Sequence, residues 1–247
     1  MPYRMVENFD VECVNCRSKR ELLALTEAAV GELGFDRLAM VHALWFRRPK
    51  RRLIRLDNFG EFAEIFIARK YYLCDPALQS CQQVNTAFAW AQMPKLILFD
   101  QRHEAILREA RRHGLRVGMS LPVGVIGEPP GCCSFATKRH DLPARSHCYA
   151  ATLIGASAFR EARRLHGFPA RAAKVPMLSP RKLEILQLAA LGKTDPEIGT
   201  ILGIKRSTVE FYMSQMRLAF DVYSRTQLCV AALRFGLVAF EDAIPGF

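Results

Sequence analysis

Residues 178–220, LSPRKLEILQLAALGKTDPEIGTILGIKRSTVEFYMSQMRLAF, constrain the fold of this chain more than any other stretch. Helix starts and stops follow one another so closely that the segment reads as three short helices joined by tight turns. Ser179-Pro180 supplies a capping residue and a proline at the first helical position. Leu183, Leu186, Ala189 and Ala190 then mark an inward face, and Gly192 stops the helix. Asp195-Pro196 repeats the cap-plus-proline start, Ile198, Ile201 and Leu202 form the next inward face, and Gly203 makes the turn. Ser207 is expected to cap the third helix, with Glu210 completing an S-x-x-E capping box. Along that helix Val209, Met213, Met216 and Phe220 recur on one side, leaving Lys205, Arg206, Thr208, Glu210, Phe211 and Ser214 on the other side or at the leading end. Docking into a DNA major groove requires such a polar-tipped third helix. Periodicity alone fits an ordinary small helical bundle equally well.

Charge does not decide between them simply. The chain carries +11 overall, yet residues 178–247 hold eight Lys/Arg against seven Asp/Glu. The basic excess lies upstream, where 27 Lys/Arg face 17 Asp/Glu over residues 1–177. Phosphate contacts supply much of DNA affinity, so a nearly neutral reader is expected to bind as a dimer or with help from upstream cations. Residues 224–239, with Leu228, Ala231, Ala232, Phe235 and Leu237, read as a fourth helix.

The clearest boundary is 167–177, GFPARAAKVPM, where Gly167, Pro169 and Pro176 interrupt periodicity. This divides the chain into 1–166, a linker 167–177, and 178–247. The upstream part reads as an amphipathic helix over 18–33 closed by Gly34, a buried strand over 37–46, the basic turn RRPKRR at 47–52, a returning strand over 53–56 and a helix over 61–71. Further on come a helix over 101–113 closed by Gly114, paired strands over 115–123 and 131–137, and a long helix over 143–166. That order predicts an α+β domain with an antiparallel sheet between helical layers, followed by an all-α four-helix domain.

The C-terminal segment resembles the helix-turn-helix domain of the LuxR-type (quorum-sensing) regulators. The matching positions are Leu178, Arg181, Leu186, Gly192-Lys193-Thr194, Glu197-Ile198, Leu202, Thr208-Val209, Arg225, Gln227 and Gly236-Leu237. The resemblance implies DNA contact from Lys193, Thr194, Lys205, Arg206, Ser207, Thr208, Glu210, Phe211, Ser214 and Arg217, and a fourth helix that pairs two such domains. Lys182, Tyr212 and Ala219 depart from the family pattern, which usually has Glu, His and Lys there. Glu210 has two readings: a carboxylate that accepts from cytosine N4, or one that only closes its capping box.

The upstream domain is similar to the family's autoinducer-binding domain, an α-β-α sandwich, through Asp75-Pro76, Trp90, Gly118, Pro122 and Gly131 to Ser134. The resemblance implies a pocket for an N-acyl homoserine lactone, lined here by Phe62, Phe66, Tyr72, Asp75, Trp90, Leu115 and Ser134. An Asp accepts the lactone's amide N–H, and the family usually supplies donors for its carbonyls from a Trp and a Tyr. Phe62 and Phe66 stand at those donor positions, and phenylalanine has nothing to donate. An unpaired buried carbonyl costs about 1–3 kcal/mol, which is roughly one to two decades in affinity. Tyr71 or Tyr72 could restore a donor. Ser134 falls where some relatives contact the acyl amide oxygen. Asp75 also suits a helix cap with Pro76 at the first helical position, a role compatible with ligand binding.

Three sensors fit: a lactone receptor of altered selectivity, an orphan for another small apolar signal, and a protein that folds without ligand around Phe62 and Phe66. The orphan with altered or relaxed lactone recognition is preferred. The alternative is a ligand-independent anti-activator that forms inactive heterodimers with related regulators. No enzyme motif with a recognised spacing is present, and no cofactor is expected. Cys13 and Cys16 form a lone Cys-x-x-Cys with too few partners for zinc. Strand alternation sends one of Cys132 and Cys133 inward. RRPKRR is either a solvated turn or a contact for nucleic acid or anionic lipid. With no run of 18 apolar residues and no signal sequence, the chain is expected in the cytoplasm with reduced thiols, as a homodimer on a palindromic double-stranded operator and not at a membrane.

Overall fold

The computed structural model describes residues 2–42, 53–125, 128–168 and 175–244. The chain divides into two compact units, Met1–Ala170 and Arg171–Phe247. The basic run 47–52, residues 43–46 of the expected strand, and 169–174 of the expected linker lie outside the described residues.

In the first unit β1 (Arg37–His42), β2 (Arg55–Asp57), β3 (Phe88–Ala89), β4 (Val117–Val123) and β5 (Gly131–Thr137) form one antiparallel sheet in the order β2-β1-β5-β4-β3. The β4–β5 hairpin was legible. Its register sets Ser120 opposite Ser134, and β1 sets Ala39 opposite the other side of Ser134. β5 is buried along its whole length, as the central strand of a sheet covered on both faces must be. Cys132 and Cys133 are therefore both buried, one on each face, rather than one inward and one outward.

Three helices cover one face: α1 (Pro2–Val14), α2 (Lys19–Glu32) and α7 (Arg145–Leu165). Ser18 caps α2 by accepting the N–H of Glu21. α1 escaped the sequence reading because only Phe9 and Cys13 bury, while Tyr3, Val11 and Val14 are exposed and blur its apolar stripe. It is tied to α7 by polar bonds: Asp10 accepts from Ser157 at 2.6 Å and Arg160 at 3.0 Å, and Arg164 donates to the Val14 carbonyl at 3.2 Å. Cys13 and Cys16 pack into this core, where burial pushes the Cys13 thiol up to about 11. Phe168, within the expected linker, also packs against this core.

The opposite face carries α3 (Glu61–Ala68), α4 (Pro76–Ser80), α5 (Met93–Leu96) and α6 (Gln101–Arg112). The expected helix over 61–71 ends at Ala68, because Lys70 takes a left-handed conformation (φ 55°) and Tyr71–Leu73 form a separate 3-10 turn. Between these short elements and the sheet lies the cavity described below.

The second unit packs α8 (Pro180–Ala190), α9 (Asp195–Leu202), α10 (Arg206–Ala219), α11 (Arg225–Arg234) and α12 (Phe240–Ala243) around their own core of Ile185, Leu186, Ile198, Val209, Met213, Met216 and Leu228. Ser179 caps α8 as expected, accepting the N–H of Lys182. Several expectations need correction. Ile185 buries where Leu183 was expected to lead the face. α9 is capped by Thr194, one residue earlier than read: the Glu197 carboxylate takes both its N–H and its hydroxyl at 2.7 Å. Ile201 is 53% exposed. At about 100° per residue the buried edge centres between Ile198 and Gly199, which swings Ile201 toward solvent. α11 stops at Arg234, short of 239, because Gly236 is left-handed (φ 66°). Among the described residues no helix is long and apolar enough to cross a membrane.

Candidate ligand cavity and nucleic-acid interface

The cavity lies between the sheet and helices α3, α4 and α6, and encloses about 900 Å³ including its mouth. Phe59, Phe62, Phe66, Tyr72 and Trp90 give it an aromatic wall, with Val41, Leu78, Met93 and Ile106 completing the apolar lining. Phe62 and Phe66 pack ring to ring at 5.9 Å. Both rings line the space. Tyr71 is turned away, its hydroxyl accepting from Arg69 at 3.0 Å, whereas Tyr72 reaches the lining. Leu115 does not: it is 1% exposed, in the packed cluster of Phe62, Ile106 and Ala110. It faces instead a second depression behind Trp90.

Asp75 is both cap and cavity residue. Its Oδ2 accepts the Leu78 N–H at 3.0 Å at the start of α4, and the side chain lines the cavity. Loss of hydration pushes its carboxyl up to about 6, although the Leu78 and Ala77 N–H groups oppose the shift.

A chain of polar groups that no spacing announced runs behind the opposite wall. Trp90 Nε1–H donates to Ser120 Oγ at 2.9 Å, and Ser120 and Ser134 hydroxyls are 2.8 Å apart. An indole N–H only donates, so Ser120 accepts from Trp90 and can pass its own proton to Ser134. Ser134 is then left with a hydroxyl proton to give, with Cys132 Sγ as a poor partner at 3.4 Å. Ser134 lines the cavity while Ser120 is wholly buried behind it. Gly118 holds the indole in place: a Cβ there would lie 2.7 Å from the Trp90 ring. Among the described residues the cavity offers Asp75 as an acceptor, Ser134 as an oriented donor and the Tyr72 hydroxyl on a largely apolar surface whose lining also includes His42, Arg55 and Asp57.

In the second unit Gly203 (φ 64°) turns the chain between α9 and α10. Lys205 follows in extended conformation as the N-cap, without a side-chain capping bond, and α10 begins at Arg206. The expected Ser207–Glu210 box is therefore absent. Ser207 lies inside the first turn, and Glu210 instead accepts from Arg206 Nε at 2.7 Å. Lys205, Arg206, Ser207, Glu210, Phe211 and Ser214 are exposed, Thr208 and Arg217 half-buried. Lys193 and Thr194 sit exposed at the start of α9, where Arg225 braces the backbone by binding the Lys193 carbonyl and Asp195.

Comparison with known proteins places both units. The family model described as the autoinducer binding domain matches residues 18–162, and that of the bacterial regulatory proteins of the luxR family matches 176–232. The quorum-sensing regulator RhlR of Pseudomonas aeruginosa is 29% identical over 233 residues, covering 88% of this chain and 89% of that protein. The transcriptional activator TraR of Agrobacterium vitis is 22% identical over 210 residues, covering 83% and 86%. In fold, the crystal structure of Escherichia coli SdiA superposes with a TM-score of 0.59 at 23% identity, covering 95% of this chain and 98% of that one. SdiA in complex with octanoyl-rac-glycerol gives 0.59 at 21%, covering 96% and 97%.

Proposed function

The chain belongs to the LuxR family of quorum-sensing transcriptional regulators, and on that premise we propose that it is an orphan member with altered acyl homoserine lactone recognition. It acts in the cytoplasm as a homodimer on a palindromic operator. The supporting observation is the cavity's sparse polar set. Phe62 and Phe66 occupy the wall where family members supply donors, so the head group is held by Asp75 as acceptor and Ser134 as donor. The favoured ligand pairs an N–H or O–H with a neighbouring carbonyl and carries an apolar body against the rings. Affinity for plain lactones falls because donors are missing at Phe62 and Phe66, leaving Ser134 and the Tyr72 hydroxyl to serve the carbonyls, and selectivity relaxes because fewer directional bonds discriminate. Acyl glycerols, one of which the SdiA complex contains, form a second class to test.

The DNA contacts come from the exposed leading edge of α10 with Lys193 and Thr194. Two copies must present these edges about one DNA turn apart, ~34–36 Å, so dimer geometry controls affinity.

The test is a thermal-stabilisation panel of acyl lactones and acyl glycerols on the full-length wild type, Asp75→Asn and Ser134→Ala, paired with operator binding. Ligands should raise the wild-type melting temperature and lose most of that effect in both variants. A protein that no ligand stabilises, binds no operator and pairs with a related regulator would instead be the anti-activator.

A further inference from the structure

The start of α10 carries an exposed charge pair, Arg206 with Glu210. Arg206 and Glu210 stand four residues apart on a helix whose buried stripe is Val209, Met213 and Met216, so neither supports the core. Their side chains are 69% and 46% exposed. The bond between them, 2.7 Å from Arg206 Nε to Glu210 Oε1, leaves both terminal nitrogens of the guanidinium without a partner among the described residues. A lone carboxylate on a groove-facing helix repels phosphate. Joined to Arg206 it is neutralised, and it fixes the plane of the guanidinium through Nε. The free Nη edge is then a two-pronged donor at the leading end of the helix. Guanine is the base that presents two acceptors, O6 and N7, side by side in the major groove. A planar guanidinium matches that edge, and an ammonium does not.

Resting on the DNA-reading role of α10, we propose that Arg206 reads a guanine in each half-site, with Glu210 as its positioning residue. Two rival geometries are distinguishable. In one, Arg206 touches phosphate; in the other, Glu210 reads cytosine N4 directly. The second would also fix a G·C pair, so the side chain responsible must be identified by substitution.

The experiment is selection from randomised duplexes by the full-length protein, with Arg206→Ala, Arg206→Lys, Glu210→Ala and Glu210→Gln alongside, followed by salt titration on the selected site. The wild type should fix a G·C pair in each half-site with roughly 5- to 150-fold discrimination. Arg206→Ala and Arg206→Lys should both lose it while other positions keep their preferences. Glu210→Ala should weaken it severalfold, and Glu210→Gln, which still accepts from Nε, should restore most of it. Uniform weakening by Arg206→Ala, rescue by lysine and a salt slope lower by about one would make the contact a phosphate and overturn the proposal. Loss of the G·C preference in Glu210→Gln with retention in Arg206→Ala would assign it to the carboxylate and also overturn it. Failure of the wild type to select any sequence would remove the DNA-reading role itself.

Discussion

In the C-terminal unit the proposed DNA contacts ride on an exposed helix edge, while in the N-terminal unit the proposed ligand contacts line a cavity. Arg206, Glu210 and Ser214 touch nothing in their core, so they can change without endangering the fold. Asp75 has no such freedom: it caps α4 and lines the cavity with one carboxyl group. Ser134 sits mid-strand, beside Ser120 and above Cys132. A surface reader can therefore evolve specificity one side chain at a time, whereas an interior sensor couples ligand choice to stability. The substitutions below probe that contrast.

The largest effect should come from the helical core. Leu186→Ala is expected to cost about 2–5 kcal/mol through the cavity it leaves, lowering the unfolding transition of the second unit in calorimetry while the ligand-responsive transition stays in place. A joint collapse of both transitions would break the contrast.

Asp75→Asn comes next, and its sign depends on pH. Unfolded, this carboxyl releases its proton near 4; folded, at about 6. Between those values the folded chain binds more protons, so its contribution is full below the lower value and declines as pH rises through about 6. The total is at most about 3 kcal/mol. Asparagine keeps the cap without the charge, so the ligand-free variant should melt higher than wild type at pH 8 and match it near pH 4. His42 works in the opposite sense. Burial lowers it to about 4, so its contribution is present above 6.5 and lost toward acid. In wild type the two slopes oppose one another; in Asp75→Asn stability should climb between pH 4 and 6.5. Denaturant melts across that range would check it.

Phe66→Tyr, alone and with Phe62→Trp, returns donors to the aromatic wall. Affinity for acyl homoserine lactones should rise roughly one to two decades, read by ligand titration. An unchanged affinity would mean that this wall does not meet the head group. The smallest effect is Thr194→Ala, which removes the hydroxyl that Glu197 holds at α9 and should cost about 1 kcal/mol in a denaturant melt without altering ligand binding.

What the sequence disclosed follows the range of the interactions. Ser179-Pro180, the β4–β5 hairpin and the stripe Val209–Met213–Met216 are set by neighbours a few residues apart, and they were legible. So was the pairing of Asp75 with Pro76 as a helix start. The start of α10 was misread because S-x-x-E is a local pattern that a second local partner can override: Arg206, one turn before Glu210, holds its carboxylate. The Trp90–Ser120–Ser134 chain joins residues 30 and 14 positions apart, and no periodicity marks it. Leu115 precedes β4 by two residues and falls behind the cavity wall, a placement that depends on how α6 packs and not on sequence spacing.

The most direct test of the sensor account is native mass spectrometry of the protein, purified with and without acyl lactones or extract from its source cells. One small molecule retained per chain, lost on Asp75→Asn and on Ser134→Ala, is the expected result. A folded, operator-binding dimer that stays empty under every condition would contradict it.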